Sequence, residues 1–288
     1  MARGAVRPMR RLAPILVALL ALAAAGARGQ TGAPGEVVYD PFVPTPHRIV
    51  EQMLALAEVG PGDLVVDLGS GDGRIVIAAA QQFGARALGV DIDRSLVAEA
   101  RERAARAGVA GRTRFVARDF FATDLRDATV LTLYLLPETN RKLLPKILAE
   151  MKPGTRVVAH RFALGDWPPD RQLMVDAAED WSATAATRWV YLWYVPAQIG
   201  GEWEVTREGG VAFRLDFAQA YQNLGGKATN GTATETLDRG VLRGSEIRFI
   251  VPGAAPFAGD YAGRVDGDTM SGDLNGGARW RAVRRKTR

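Results

Sequence analysis

One short stretch constrains the fold of this chain more than any other. The apolar segment Leu64–Leu68 is followed by a glycine-rich turn and then by a second apolar segment rich in alanine. This order predicts a buried strand, a tight loop and a helix. Gly69, Gly71 and Gly73 let the backbone adopt positive φ and approach a ligand closely. Because the first turn of a helix leaves N–H groups without partners, we expect a nucleotide-type site at the carboxyl end of a parallel strand.

The spacing of these glycines distinguishes between two kinds of nucleotide site. Dinucleotide-binding loops have the pattern G-x-G-x-x-G, whereas this loop has G-x-G-x-G, with Asp67 two residues before its first glycine. A carboxylate at that point repels a pyrophosphate and attracts a cationic group such as an ammonium. The pattern therefore disfavours a nicotinamide-dependent oxidoreductase, which remains a rival interpretation.

Residues 67–73 resemble motif I of the class I S-adenosylmethionine (SAM) dependent methyltransferases, both in sequence and in their place between strand and helix. The resemblance implies SAM as the cofactor. The segment 43–46 is similar to the one that precedes motif I in the ATP synthase c-subunit lysine methyltransferase family and its bacterial relatives. This similarity implies that Thr45 and the helix after it lie across the SAM pocket. The alternative for 48–58 is a plain helix that leads into motif I.

Acidic residues also end the next two predicted strands. Asp91 closes the strand within 87–93, where a carboxylate accepts hydrogen bonds from both ribose hydroxyls; the alternative role is a helix cap. Asp119 follows the strand 114–117, and we expect it to accept from the adenine amino group, with Phe120 against the ring. The predicted cofactor-binding residues are Thr45, Asp67, Gly69, Ser70, Gly71, Gly73, Asp91, Ile92, Asp119 and Phe120.

The fourth predicted strand, 128–135, ends in Leu-Tyr-Leu-Leu-Pro-Glu rather than an Asn-Pro-Pro-Tyr motif. In the superfamily that motif I resembles, the end of the fourth strand faces the transferred methyl group. The absence of an Asn-Pro-Pro-Tyr motif from that position argues against DNA-adenine methylation. The sequence is similar to the non-SET lysine methyltransferases, which implies a protein lysine amine as the acceptor. Tyr134, Glu138 and His160 are the candidate catalytic residues, with His160 a candidate general base. The alternative for His160 is a structural, hydrogen-bonded histidine at a strand end.

Strands alternate with helical segments from motif I to His160 and end in a predicted β-hairpin of 170–175 and 187–195. This order predicts an α/β fold, a seven-stranded Rossmann-like methyltransferase sheet over residues 39–197.

The pattern changes in residues 198–288 to short alternating segments separated by glycine-containing turns. It predicts a small C-terminal antiparallel β-barrel or sandwich domain without a catalytic constellation. Residues 219–224 and 227–234 are each assigned to a strand of this domain.

Residues 1–29 place arginines before an apolar run and small residues after it, which predicts a secretory signal peptide or an uncleaved N-terminal anchor. Residues 30–38 are expected to be a linker. We therefore expect the protein to be exported (periplasmic or secreted) or tethered to a membrane. This conflicts with a SAM requirement, because SAM is made inside cells. A rival function is a methyltransferase fold kept as a non-catalytic ligand-binding module.

The composition narrows the chemistry further. The chain has no cysteine and only two histidines, which excludes disulfides and thiol nucleophiles and argues against a metal centre. Much of its positive excess, +5 in total, lies in the N-terminal arginines and in residues 279–288. This charge is weak evidence for nucleic-acid binding, so we expect no nucleic-acid partner. A protein substrate is what the family resemblance implies.

Overall fold

The computed structural model describes residues 42–175 and 188–285. The predicted signal peptide or anchor of residues 1–29 and the linker of residues 30–38 lie outside this part of the chain. Among the helices described, none combines the length and the apolar character needed to cross a membrane.

The first sheet has seven strands in the order β3-β2-β1-β4-β5-β7-β6. Strands β1 to β5 are parallel, and β7 is antiparallel to both β5 and β6. The predicted methyltransferase sheet is therefore confirmed. The register places Asp67 beside Gly89 on one side and Thr132 on the other, so the carboxyl ends of the central strands form one edge. The strands are β1 (Leu64–Leu68), β2 (Arg86–Asp91), β3 (Thr113–Ala117), β4 (Val130–Leu133), β5 (Arg156–His160), β6 (Arg171–Met174) and β7 (Trp189–Tyr194).

Four α-helices connect and cover this sheet: α1 (His47–Leu56), α2 (Arg74–Phe83), α3 (Arg94–Arg106) and α4 (Pro137–Glu150). Helix α1 buries one apolar face, which includes Met53 and Leu54, against α2 and the sheet. Helix α2 starts after Gly73 and ends at Gly84, both with positive φ. Because α2 follows β1 directly, its N-terminus lies at the carboxyl edge of the strands.

The second sheet closes on itself as an eight-stranded antiparallel barrel, which settles the choice between barrel and sandwich. Consecutive strands pair along the chain, except that β12 pairs with β10 rather than with β11, and the last strand pairs with the first. The nine strands occupy eight positions around the barrel, because β11 and β12 share one position. Strand β11 pairs with the end of β10, and β12 pairs with its start. The strands are β8 (Gly201–Arg207), β9 (Ala212–Ala220), β10 (Asn223–Thr229), β11 (Thr234–Thr236), β12 (Gly240–Arg243), β13 (Glu246–Val251), β14 (Gly259–Asp266), β15 (Thr269–Leu274) and β16 (Ala278–Arg284).

Aromatic side chains fill the inside of the barrel. Phe249 and Tyr261 stack with ring centroids 4.7 Å apart, and Trp280 meets both rings edge-on. Gly263 leaves the space for this indole, since a Cβ there would lie 2.8 Å from Trp280 Cζ2. The interior of an eight-stranded barrel is just wide enough for side chains to fill it, and these aromatic side chains fill it here.

Two strand predictions in the barrel are wrong. Residues 219–224 contain a tight turn at Tyr221 and Gln222, between β9 and β10. No glycine marks this turn, and Tyr221 itself adopts a φ of 56°. Residues 227–234 span the end of β10 and a second turn, although Asn230-Gly231 is a typical turn pair.

Candidate functional site

The motif I loop is fixed to the end of strand β2. The backbone N–H groups of Gly69 and Ser70 both donate to the Val90 carbonyl, at 2.8 and 3.0 Å. Gly71 N donates to Asp91 Oδ2 at 2.7 Å. Gly69, Gly71 and Gly73 all have positive φ, as the sequence pattern predicts. These three hydrogen bonds fix the loop to the end of β2.

Close packing around the loop leaves no room for side chains at its glycines. A Cβ at Gly69 would lie 2.9 Å from Leu135 Cδ2, and one at Gly71 would overlap the ring of Phe42. The hydroxyl of Ser70 is buried and has no hydrogen-bond partner among the residues described. Glycine backbone lets a ligand approach the loop closely, and the Ser70 hydroxyl is available to form a hydrogen bond with it. Both features favour a polar ligand at this loop.

Asp67 lies beneath this loop and is 2 % exposed. Thr132 Oγ1 donates to its Oδ1 at 2.6 Å. The pKa of Asp67 is raised to about 7, mainly by burial and to a smaller extent by the neighbouring carboxylates Asp91 and Asp72, against the lowering effect of the Thr132 hydrogen bond. A cation placed beside Asp67 would favour its charged form.

Asp72 joins the loop to the segment before α1. It pairs with Arg74 at 2.7 Å and with Arg103 of α3. Burial alone would raise the pKa of Asp72, but the hydrogen bonds and charges of the two arginines hold it below its ordinary value. Arg74 Nη1 also donates to the carbonyl of Thr45 at 2.9 Å. This hydrogen bond ties Thr45 to the first residue of α2, and its contact with SAM stays a prediction.

The other two strand-end carboxylates face the same edge. Asp91 accepts from Gly71 N through one oxygen and from Asp93 N through the other, at 2.9 Å. Asp93 caps α3 by accepting from the backbone N–H groups of its first turn. Asp119 caps the short 3₁₀ turn by accepting from Phe121 N at 2.8 Å. A carboxylate has several acceptor positions, so these bonds leave Asp91 and Asp119 able to accept from a ligand.

Apolar side chains flank these carboxylates. The rings of Phe120 and Phe121 lie 4.9 Å apart, and Ile92 is exposed, at 42 %. The residues at this edge fit SAM, with carboxylates for its ammonium and ribose and apolar groups for its adenine. Their contacts with the cofactor remain a prediction.

A second cluster lies at the ends of β4 and β5. The rings of Tyr134 and His160 have centroids 4.1 Å apart, and Phe162 lies parallel to Tyr134 at 6.5 Å. His160 is buried, and its Nδ1 has no partner among the residues described. Burial, with a smaller effect from the charge of Arg161, lowers the pKa of His160 to about 4. The imidazole is therefore neutral at physiological pH.

Glu138, the third candidate catalytic residue, lies on the exposed surface of α4. It pairs with Arg141 at 3.3 Å and Lys142 at 3.4 Å. Neither of these ion pairs joins Glu138 to Tyr134 or His160. The structure brings together two of the three candidates.

Three residues near the site are not predicted by the sequence. Thr132 escapes sequence reasoning because only the β1–β4 register places it beside Asp67. Phe162 follows the fifth strand, and no local pattern assigns it a role. Asn140 is 1 % exposed, and its Nδ2 donates to the carbonyls of Phe162 and Ala163, both at 3.3 Å. A signal for Asn140 exists, since it interrupts the apolar face of α4.

The strand order, the glycine loop and the strand-end carboxylates define a class I SAM-dependent methyltransferase. Comparison with known proteins agrees. The family model of the ANTKMT methyltransferase domain matches residues 67–171, which end before the barrel begins. A protein-lysine N-methyltransferase of Saccharolobus islandicus is 44% identical over 141 residues, which cover 49% of this chain and 88% of that protein. The chain belongs to the same family of SAM-dependent methyltransferases as that protein.

Two further relatives extend the comparison. The human lysine N-methyltransferase of the ATP synthase c-subunit is 34% identical over 147 residues, 51% of this chain and 62% of that protein. A solved structure of an RNA methyltransferase from Salinibacter ruber, in complex with S-adenosyl-L-homocysteine, is 46% identical. It covers 55% of this chain and 96% of its own, with a TM-score of 0.50. The family resemblance and the SAM cofactor inferred from motif I are confirmed.

Proposed function

We propose that this protein transfers the methyl group of SAM to the ε-amine of a protein lysine. The observation that carries the proposal is the 44% identity to a protein-lysine N-methyltransferase over 88% of its length. The aromatic cluster of Tyr134, His160 and Phe162 supports it. A lysine amine must be neutral to attack the methyl group, and a desolvated aromatic surface favours the neutral form.

When bound, SAM supplies a methyl group that is already activated by the sulfonium. The task of the chain is to align the acceptor and exclude water, and such positioning supplies about 7–11 kcal/mol of barrier reduction. A free lysine has a pKa of about 10.4. The rings of Tyr134, His160 and Phe162 provide a desolvated edge that favours the neutral amine. There the lysine releases its proton to solvent as it enters.

His160 is best suited to orient this amine. Its neutral Nδ1, unpaired among the described residues, can accept a hydrogen bond from an amine N–H. With a pKa of about 4, the imidazole is a weak proton acceptor for a lysine. We therefore propose a hydrogen-bonding role for His160 in place of general-base catalysis.

Methylation of RNA is the second candidate, because the similar solved structure is of an RNA methyltransferase. RNA binding relies on an excess of Lys and Arg. Residues 42–197 contain equal numbers of acidic and basic side chains. This balance favours a protein acceptor.

The experiment supplies radiolabelled SAM to the purified chain together with separate protein and RNA fractions. We expect label on protein, in an N-methyl-lysine after hydrolysis. Label found only in RNA would replace the proposal with the second candidate. Calorimetry with SAM serves as the control, since an absence of binding would instead support the non-catalytic ligand-binding alternative.

We also propose that residues 1–29 export the catalytic region or tether it to a membrane. The support is the arginine-rich start followed by an apolar run. A reporter enzyme that works on only one side of the membrane, fused after residue 288, tests this. Activity confined to the cytoplasm would contradict export and remove the conflict with the cytoplasmic source of SAM.

A further inference from the structure

The turn between β9 and β10 of the barrel contacts the methyltransferase region directly. Gln222 is buried, and both ends of its amide are used. Its Oε1 accepts from Trp167 Nε1 at 2.8 Å, and its Nε2 donates to the carbonyl of Pro168 at 2.7 Å. Trp167 and Pro168 belong to the segment 161–170 that follows β5. One barrel side chain thus holds two consecutive residues of this segment.

Tyr221 strengthens this contact at a conformational cost. Its ring stacks on Trp167 with centroids 6.0 Å apart and planes at 15°. Its φ of 56° is unfavourable for a bulky side chain. Such a conformation persists where the surroundings enforce it, and it is common at functional positions. The strained turn places both Tyr221 and Gln222 against the methyltransferase region.

A row of aromatic rings continues from this contact along β7. Trp167 packs on Trp193 at 5.9 Å, Trp193 on Tyr191 at 5.8 Å, and Tyr191 on Trp189 at 6.3 Å. Trp193 Nε1 also donates to the carbonyl of Trp167 at 2.9 Å. At the far end of the row, the carbonyl of Trp189 accepts from Arg161 N at 2.7 Å. The row therefore joins the barrel to the residue that follows His160.

The segment after β5 is held at its other end by α4. Asn140 Nδ2 donates to the carbonyls of Phe162 and Ala163. Leu164, which lies between the residues bound by Asn140 and those bound by Gln222, is fully buried. Arg161 has a φ of 68°, which also requires support from its surroundings. Residues 161–168 are thus fixed between α4 and the barrel, with Phe162 at the aromatic cluster.

We propose that the β9–β10 turn of the barrel is a brace for the acceptor side of the site, and that Gln222 and Tyr221 are positioning residues for methyl transfer. They act through Trp167 on the segment that carries Phe162. The inference rests on the proposed function only for the nature of the acceptor. It gives the barrel a role in catalysis although the barrel contributes no reacting group.

The test compares full-length variants. Gln222→Leu removes both hydrogen bonds, and Trp167→Phe removes one of them from the other side while it keeps an aromatic ring. Arg243→Leu is the matched control. Arg243 joins the barrel to the opposite face of β7, with a hydrogen bond to Tyr194 Oη at 2.7 Å. In the described structure its hydrogen bond is to β7 and not to residues 161–168, although its charge acts on Asp170 just beyond them.

Three quantities are measured: amide hydrogen exchange at residues 161–168, SAM affinity by calorimetry, and kcat and KM for methyl transfer. We expect Gln222→Leu and Trp167→Phe to speed exchange in this segment and to lower kcat by on the order of tenfold, as a small misplacement does. SAM affinity should stay within about twofold. Arg243→Leu should leave exchange at 161–168 and kcat at wild-type levels.

The proposal is overturned if exchange at 161–168 does not change in the first two variants, or if all three variants lose protection and kcat equally. It is also overturned if protection is lost while kcat is retained. Amide hydrogen exchange and SAM affinity can both be measured without a methyl acceptor. If the wild-type chain methylates RNA and no protein lysine, the proposed function fails, while the brace is still decided by exchange and by kcat on RNA.

Discussion

The two halves of the site are built in different ways. The cofactor half consists of glycine backbone and carboxylates tied together by short hydrogen bonds, such as Gly71 N to Asp91 Oδ2 at 2.7 Å. The acceptor half consists of stacked rings, with buried polar atoms of His160 and Asn140 that have no partner among the described residues. The first half is dominated by carboxylates and backbone N–H groups, and the second by aromatic rings. Each half also has a buried polar atom without a partner among the described residues, the Ser70 hydroxyl in the first and His160 Nδ1 in the second.

The two arrangements match the interactions that each ligand needs. A cofactor that must bind tightly and always in one pose meets a rigid, charged and preorganised loop. An amine that must arrive neutral meets aromatic surface with few charges. If this division is correct, substitutions in the first half should change SAM affinity, and substitutions in the second should change kcat.

The largest effect is expected for Gly71→Val. A side chain at this positive φ is strained and would overlap Phe42, so the loop must move. SAM affinity should fall by on the order of a hundredfold, since the backbone strain and the rearrangement of the loop together cost about 3 kcal/mol. Calorimetry measures this. The control is Gly62→Ala, where no atom lies within 4 Å of the added Cβ; its affinity should match the wild type.

Asp67→Asn should weaken SAM binding next most strongly. Loss of a buried charge beside a cation costs about 1.5–3 kcal/mol, or roughly ten- to a hundredfold. The wild-type affinity should increase as the pH rises from 6 to 8, because Asp67, with a pKa of about 7, becomes charged over that range. Calorimetry at three pH values checks this, and the Asn variant should lack the dependence.

The same carboxyl group should affect the stability of the free protein. Its pKa is raised from 3.8 in the unfolded chain to about 7 in the folded one. The folded state therefore binds more protons between these values, and stability falls as the pH rises from about 4 to 7. Thermal unfolding of Asp67→Asn should show a smaller loss over this range. An unchanged pH slope would indicate that Asp67 is charged in the folded protein.

His160→Phe should distinguish the two halves of the site most clearly, because it should lower kcat without changing SAM affinity. It keeps the ring that packs on Tyr134 and removes the unpaired Nδ1. We expect kcat to fall by on the order of tenfold, as for one lost hydrogen bond, with SAM affinity unchanged. Because the pKa of His160 is about 4, the wild-type kcat should show no His160 inflection between pH 6 and 8. An inflection there that His160→Phe abolishes would restore the general-base role.

The smallest effect is expected for Glu138→Gln. Its carboxylate is exposed and pairs with Arg141 and Lys142 on the surface of α4, and such pairs contribute little. Steady-state kinetics should show kcat within about twofold of the wild type. A loss comparable with that of His160→Phe would place Glu138 in the acceptor half after all.

Much of the cofactor half could be predicted because it is local. Leu64–Leu68, the glycines and Asp67 are consecutive, and each residue type has a backbone or charge consequence that does not depend on distant residues. Asp91 and Asp119 were also accessible, since parallel strands end at one edge. Thr132 was not, because the register between β1 and β4 is set by packing over both faces of the sheet.

The acceptor half and the barrel contact were less accessible. Tyr134 and His160 could be named as strand-end residues, but their contact and the low pKa of His160 arise from burial. The prediction that included Glu138 relied on resemblance, and α4 presents that side chain to solvent. The turn at Tyr221 has no glycine to mark it, so the sequence indicated a strand there.

The order of strands and helices, the glycine loop and the class of ligand could be predicted from the residues in chain order, because these features depend on periodicity and on residues close together in the chain. Three features are visible in the folded molecule alone: the second sheet closes into a barrel, Gln222 binds Trp167, and His160 is buried beside Tyr134. Those contacts join residues far apart in the chain, and their free energy depends on burial and exact geometry that no local pattern encodes.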